Sequence, residues 1–144
     1  MPLRVYLAGQ VFLEADGIVF DDWRRVGRQG RLAFAVLASE HRRAIPREEL
    51  AEELWLGDPP PSWERALSAI VSKLRALLGQ AGLASTTLAS SFGCYQLRLP
   101  SDAWIDLEAA ADGLDRAEGA LRAGDPRQAG GWAQVAYHIA RRPL

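Results

Sequence analysis

The strongest pattern in the sequence is a run of apolar residues at helical spacing between Ser62 and Leu78. Intervals of three and four positions place these residues on one face of an α-helix. The face consists of Leu67, Ile70, Val71, Leu74, Leu77 and Leu78. Ser62 is a suitable N-cap, and Gly79 and Gly82 mark the end of the helix. Because such an apolar face must be covered, the rest of the chain has to supply a core around this long helix.

The N-terminal segment predicts a small antiparallel sheet. Apolar and polar residues alternate with a period of two over residues 3–8 and 11–15, which is typical of half-buried strands. Asp16-Gly17 is a strong hairpin-turn sequence, and a third short strand follows at residues 18–20. We therefore expect a sheet before the first helix.

Two shorter helices are predicted between this sheet and the long helix. Residues 32–38 are apolar almost all round, which suits a short helix buried at the centre of a small domain. Pro46 is expected to open the next helix, because its fixed φ suits a first helical turn. Glu48 and Glu49 favour the positive end of that helix, and Gly57 with the prolines after it stops the helix.

A second hairpin is predicted after the long helix. Residues 86–88 and 95–99 have the pattern of strands, and Ser90-Ser91-Phe92-Gly93 forms the tip between them. The order of elements is therefore a sheet, three helices and a hairpin. This order predicts an α+β fold over residues 1–101.

The pattern changes to pure helix after Pro100-Ser101-Asp102, so we expect a second unit at residues 102–144. Gly124 separates two helices, and Asp125-Pro126 caps and starts the second one, which makes an αα-hairpin. The expected inner face of the first helix is Leu107, Ala110, Ala111, Leu114, Ala117 and Leu121. The expected inner face of the second is Ala129, Trp132, Ala133, Ala136, Ile139 and Ala140.

The side of the long helix opposite its apolar face is small and smooth. We call it the open face, and it consists of Arg65, Ser68, Ala69, Ser72 and Ala76. Lys73 and Arg75 lie on its flanks. Small residues allow close approach of a duplex, Ser and Arg can bond base edges, and flanking cations can reach phosphates. The alternative is a helix that is buried on both sides, for which a Ser/Ala face is also common.

The charge distribution supports a basic surface that the total charge conceals. The net charge is −1, but residues 24–47 contain seven arginines and one acid, Glu40. The alternative is a solvated rim of arginines without a partner.

Other function classes find little support in the sequence. One cysteine excludes a disulfide framework, and with two histidines it makes a zinc site implausible. His41 lies in a charged turn and is expected to be solvated, and Cys94 is expected to be a small residue of the hairpin strand. We find no enzyme motif, and expect no metal and no cofactor. No signal peptide or membrane span is predicted, so we expect a cytoplasmic protein.

The order of elements and several short motifs resemble the winged-helix DNA-binding domain of OmpR/PhoB-type response regulators. The resemblance is closer to the Streptomyces antibiotic regulatory protein (SARP) family of transcriptional activators. The motifs are Gly27-Arg28-Gln29-Gly30-Arg31-Leu32, Arg47-Glu48-Glu49-Leu50, Leu54-Trp55, Asp58-Pro59-Pro60, Ala66-Leu67 and Ser72-Lys73-Leu74-Arg75, followed by Gly93, Tyr95 and Leu97. The C-terminal part resembles the start of a bacterial transcriptional activator domain with TPR-like helices. Its motifs are Asp106-Leu107-Glu108, Leu121, Ala123-Gly124-Asp125-Pro126 and Ala140-Arg141-Arg142-Pro143-Leu144.

The resemblance implies that residues 62–78 form a recognition helix in the major groove and that residues 86–99 form a wing near a minor groove. It also implies binding to direct repeats at promoters and contact with RNA polymerase. Two departures bear on this: Arg65 stands where the family often has Asn, and the wing tip carries no cation.

We therefore predict a sequence-specific DNA-binding transcriptional regulator, expected to be an activator, whose partner is double-stranded DNA. The predicted base contacts are Arg65, Ser68, Ala69 and Ser72. The predicted phosphate contacts are Arg28, Arg31, Arg43, Arg47, Lys73 and Arg75, and the predicted wing contacts are Ser90, Ser91 and Phe92. The alternative is a winged-helix module that binds a protein partner without DNA. A helical hairpin that cannot cover its own apolar face also leaves a homodimer open.

Overall fold

The computed structural model describes residues 3–8, 10–20 and 26–141, and Arg24 and Arg25 lie outside the described residues. The strands are β1 (Arg4–Tyr6), β2 (Phe12–Ala15), β3 (Ile18–Phe20), β4 (Ile45–Pro46), β5 (Leu88–Ser91), β6 (Cys94–Leu97) and β7 (Trp104–Ile105). The helices are α1 (Gly27–Ser39), α2 (Arg47–Leu54), α3 (Trp63–Gln80), α4 (Asp106–Arg122) and α5 (Pro126–Ala140). A short 3-10 turn at Ser85–Thr87 precedes β5. This mixture of helices and two sheets is consistent with the predicted α+β class.

The N-terminal sheet contains one strand more than the sequence predicts. Its order is β3-β2-β1-β7, with antiparallel pairs β1–β2 and β2–β3 and a parallel pair β1–β7. The predicted hairpin turn is confirmed, because Asp16 and Gly17 both have positive φ, as a tight two-residue turn requires. Strand β7 has only two residues and therefore shows no alternation in the sequence.

The second sheet joins the wing to the N-terminus of α2. We use the name wing from here on for the β5–β6 hairpin, residues 88–97, and its sheet has the order β4-β6-β5. Strand β4 was not predicted, and it pairs Ile45 with Tyr95 and Pro46 with Cys94. The prediction that Pro46 opens α2 is off by one position, since Pro46 is the N-cap and Arg47 is the first helical residue. A proline suits both positions, because neither needs its missing N–H.

The core is built around the apolar face of α3. All six residues of that face are buried, and they pack with α1, α2 and residues of both sheets. On α1, Ala33, Phe34, Leu37 and Ala38 are buried, but Leu32 is exposed. Helix α1 is therefore longer than the predicted short buried helix, and one side of it faces solvent.

The αα-hairpin forms as predicted, but α4 uses a different inner face. Asp125 caps α5 by accepting a hydrogen bond from the Gln128 amide, at 3.1 Å. The buried residues of α4 are Asp106, Ala110, Gly113, Ala117 and Ala120, whereas Leu107, Ala111, Leu114 and Leu121 are exposed. On α5, Ala129, Ala136 and Ile139 are buried, Trp132 is half-buried, and Ala133 and Ala140 are exposed. Small residues let the helices approach closely: a Cβ at Gly113 would lie 3.1 Å from the carbonyl oxygen of Trp132.

A buried carboxylate joins the αα-hairpin to the N-terminal sheet. Asp106, the first residue of α4, is fully buried and accepts hydrogen bonds from the amides of Leu7 (2.9 Å) and Ala8 (3.0 Å). The predicted boundary between residues 101 and 102 lies in a turn just before β7, and β7 pairs with β1. Residues 104–106 therefore connect the two predicted units directly, while the division into two domains stays a prediction.

Replacing Asp106 with alanine should destabilise the protein strongly. The substitution leaves the Leu7 and Ala8 amides buried without an acceptor, so we expect a loss of about 2–4 kcal/mol in the free energy of unfolding. Urea unfolding measures it. The exposed Asp102 is the matched control, and Asp102→Ala should change the stability by less than about 0.5 kcal/mol. Equal effects of the two substitutions would contradict a role of Asp106 in the junction.

Candidate nucleic-acid interface

Helix α3 presents its open face to solvent. Arg65, Ser68, Ala69, Ser72 and Ala76 are all exposed, as is Lys73 on the flank. Within the described part of the chain this face is therefore uncovered, in contrast to the alternative of a helix buried on both sides. Ser62 occupies the predicted N-cap position, but its side chain makes no capping hydrogen bond. The base-reading roles of Arg65, Ser68, Ala69 and Ser72 stay a prediction.

The small residues of the open face make it accessible, while Arg65 on the face and Lys73 on its flank supply positive charge. Arg65 lies in the first part of α3 next to an exposed acid, Glu64, and Lys73 lies two turns further on. The hydroxyls of Ser68 and Ser72 lie between these charges, one helical turn apart. The two hydroxyls can donate and accept hydrogen bonds close to the helix backbone.

Two of the predicted phosphate contacts lie on the first turns of α1. Arg28 and Arg31 are exposed, and neither forms an ion pair with another described residue. Their guanidinium groups are therefore available, within the described part of the chain, for an anionic partner. Their roles as phosphate contacts are untested.

Two other predicted phosphate contacts are less free to reach a duplex, one because of its ion pairs and the other because it is partly buried. The guanidinium of Arg43 donates to Glu40 (3.1 Å) and to Glu49, and these bonds raise the pKa of Arg43. The Nε of Arg47 is buried and finds no hydrogen-bond partner among the described residues. Arg43 would have to leave two carboxylates to contact a phosphate, and Arg47 could offer only its terminal nitrogens without rearrangement.

Arg75 connects α3 to the wing. Its Nε and one terminal nitrogen donate to the carbonyl oxygen of Leu88, at 3.1 and 2.9 Å, and the side chain is half-buried. The sequence places Arg75 on the flank of α3 but gives no sign of this contact, because the acceptor is a backbone atom 13 positions away. The structure thus assigns Arg75 a bond within the protein, and its predicted phosphate contact stays untested.

The wing ends in a tight turn that presents the predicted contact residues. Ser90, Ser91 and Phe92 are exposed, and Phe92 and Gly93 form the turn with positive φ at both positions. The Gly93 carbonyl accepts a hydrogen bond of 3.0 Å from the Arg47 amide, which ties the tip to the start of α2.

His41 and Cys94, for which no catalytic role is predicted, are both half-buried. His41 is half-buried with its Nε2 at 2.5 Å from Glu108 Oε1, so the prediction of a solvated His41 is wrong. The contact is invisible in the sequence because Glu108 lies on α4, 67 positions away. Cys94 is a half-buried residue of β6, as predicted. Within residues 3–8, 10–20 and 26–141, no three His, Cys, Asp or Glu side chains are grouped to hold a metal ion.

An open cleft of about 920 Å³ lies away from α3. It runs between the end of α1, β7 and α4, and no residue of α3 lines it. Arg42 and Arg43 stand in the same cleft as the carboxylates of Glu108, Asp112 and Asp115. Because these carboxylates repel phosphates, the cleft is a poorer site for a duplex than the open face of α3.

The chain resembles a known regulator in structure. It superposes on Mycobacterium tuberculosis EmbR, solved in complex with a low-affinity phosphopeptide, with a TM-score of 0.83 and 27% sequence identity. The match covers 99% of this chain and 37% of the EmbR chain, so this chain spans little more than a third of that protein's length. No family model and no curated protein matches the chain. The likeness to EmbR supports a SARP-like winged-helix fold.

In the described part of the chain, no helix is both long enough and apolar enough to span a membrane.

Removing the Arg75 side chain should destabilise the protein, whereas removing Lys73 should not. Arg75→Ala leaves the Leu88 carbonyl without its donors, and we expect a loss of about 1–2 kcal/mol in the free energy of unfolding. Lys73→Ala removes an exposed cation from the same helix and should change the stability by less than about 0.5 kcal/mol. Chemical unfolding of both variants measures this, and an Arg75 variant as stable as the wild type would contradict the bond to the wing.

The contact between Arg43 and Glu49 should be visible in a pH titration. The hydrogen bond from Arg43 lowers the pKa of Glu49 below its ordinary value, so the pair stabilises the fold at neutral pH. This contribution is lost as the pH falls through the lowered pKa, because Glu49 is then neutral. An NMR titration of the Glu49 carboxyl carbon should give a pKa that rises in Arg43→Ala; an unchanged pKa would show that the pair is not formed in solution.

Proposed function

We propose that the chain is the DNA-binding part of a SARP-type transcriptional regulator that reads duplex DNA with the open face of α3. The observation that carries this proposal is the exposure of Ser68 and Ser72 on a small face with Arg65 and Lys73 beside them. Small residues allow a helix to lie close to the floor of a major groove, which is about 12 Å wide, and Ser and Arg side chains there can bond base edges. The structural likeness to EmbR supports a regulator of this type.

The proposed division of roles follows the position of each side chain. Arg65, Ser68, Ala69 and Ser72 contact bases, and Lys73, Arg28 and Arg31 hold phosphates, since all of these side chains are exposed. Arg43 contacts a phosphate only if it leaves Glu40 and Glu49, and Arg47 does so only through its terminal nitrogens. The main role of Arg75 is to hold the wing through the Leu88 carbonyl. Binding to direct repeats at promoters, contact with RNA polymerase, activation, and action in the cytoplasm belong to the same proposal.

A protein-binding module without DNA contact is the second candidate. The exposure of Leu107, Leu114 and Leu121 on one side of α4 favours it, since such leucines favour contact with a protein, including a second copy of the chain. The two candidates differ in their response to salt. DNA binding falls steeply with salt because counterions are released, whereas a leucine-based contact does not.

Selection from a random duplex pool, carried out at two salt concentrations, tests the proposal. We expect a common motif repeated in the same orientation. On the selected duplex, Arg65→Ala should cost about 1–3 kcal/mol and relax the preference at one base pair. Lys73→Ala should weaken binding to every sequence and reduce the salt slope by about 1.

Arg127 supplies the control, because it is an exposed arginine on α5 and lies outside the proposed interface. Arg127→Ala should bind DNA like the wild type. If Arg65→Ala and Lys73→Ala also bind like the wild type, α3 is not the DNA-binding surface. If no duplex is enriched at either salt concentration, the protein-binding candidate replaces this proposal.

A further inference from the structure

The tip of the wing exposes an aromatic ring completely. Phe92 is fully exposed, and no large hydrophobic side chain in the described part of the chain is more exposed. Water contact with an entire phenyl ring is unfavourable, because burying it would remove a large apolar area from water. The protein therefore keeps at position 92 a side chain that does not contribute to its own core.

The backbone at Phe92 also disfavours a phenylalanine. Phe92 and Gly93 have φ values of 51° and 72°, and the other tight hairpin of the chain has nearly the same values, 52° at Asp16 and 77° at Gly17. Aspartate, asparagine and glycine suit the first position of such a turn, whereas a bulky residue with positive φ is an outlier. Turn formation thus explains Asp16 but does not explain Phe92.

The ring is held away from the protein by the structure of the tip. Ser91 pairs with Cys94 to close the turn, and Pro46 of β4 pairs with Cys94 on its other side. The Arg47 amide donates to the Gly93 carbonyl, and Arg75 fixes the start of the wing to α3. The position of Phe92 relative to the open face of α3 is therefore set by hydrogen bonds to the backbone of the wing.

The surroundings of Phe92 favour a nucleic acid over a protein as the partner of the ring. Its chain neighbours Ser90 and Ser91 are exposed hydroxyl residues, so the ring does not continue an apolar run along the wing. Hydroxyls can bond phosphate and sugar oxygens, and a single apolar side chain can enter a base step from the minor groove and unstack it. Residues 88–97 of the wing carry no cation, so a charged side chain of the wing itself is not available for a phosphate contact.

We propose that Phe92 is an apolar wedge that enters the minor groove beside the sequence read by α3 and partly unstacks one base step. This inference rests on the proposed function. It makes the wing a sensor of DNA deformability, since flexible pyrimidine–purine steps unstack most easily, and it adds specificity at a step that α3 does not touch.

The variants Phe92→Asn and Phe92→Ala test the wedge. Asn suits a positive φ, so Phe92→Asn removes the ring while the turn remains as stable as before or becomes more stable. The probe is the duplex recovered by the selection, with 2-aminopurine placed at single positions beside the α3 site. Wild-type protein should raise the fluorescence of one position through unstacking. Both variants should abolish this rise and bind at least about tenfold more weakly, with an unchanged salt slope because phenylalanine releases no counterion.

Tyr137→Ala is the control, because it removes an exposed aromatic ring from α5, outside the proposed interface, and it should keep both the affinity and the fluorescence rise. If the Phe92 variants bind and unstack like the wild type while Lys73→Ala binds more weakly, the wedge is wrong and the proposed function stands. If the Phe92 variants bind DNA normally but change the oligomeric state in sedimentation, the ring contacts a protein and the wedge is again wrong. If the wild type binds no duplex, both proposals fail.

Discussion

Burial of the apolar face of α3 determines how the rest of the structure is arranged. Six side chains on that face enter one core, and each aliphatic side chain that is fully buried contributes about 1.5–3 kcal/mol. Helices α1 and α2 and both sheets surround this side of α3 only. The opposite side is left to solvent, and its small residues are then free for a partner.

Polar contacts to the backbone set the positions of the peripheral elements relative to this core. Arg75 holds the wing through the Leu88 carbonyl, and the Arg47 amide holds the wing tip through Gly93. Asp106 holds α4 through two amides of the chain segment that follows β1. Hydrogen bonds are directional, and those of Arg75 and Asp106 involve an ionisable side chain, so together they fix orientation in a way that apolar packing alone does not. The proposed reading of a duplex by α3 and the wing together depends on this fixed geometry.

Local patterns of the sequence predicted much of the fold. The apolar repeat of α3, the Asp16-Gly17 turn and the Asp125-Pro126 start of α5 were all predictable, because each depends on neighbouring residues. Strands β4 and β7 were not, since two residues carry no period and their pairing partners are distant in sequence. The inner face of α4 was predicted wrongly because its leucines are exposed. Helix α4 instead packs against α5 through Gly113 and alanines, which allow the two helices to approach closely.

Neither the exposure of the candidate site nor the state of its arginines could be read from the sequence alone. The Ser/Ala pattern of α3 fits both an exposed and a buried face, and the partners of Arg43 and Arg75 are a carboxylate on α2 and a distant carbonyl oxygen. An arginine that the sequence presents as a free cation can thus be hydrogen-bonded within the protein, and only the tertiary structure shows this.

Mapping of backbone amide chemical shifts during titration with a selected duplex tests most directly whether the open face of α3 is the binding surface. The account predicts the largest shift changes between Arg65 and Ala76 and at the wing tip, with little change on α5. Changes confined to the cleft between α1 and α4, with α3 unaffected, would contradict it.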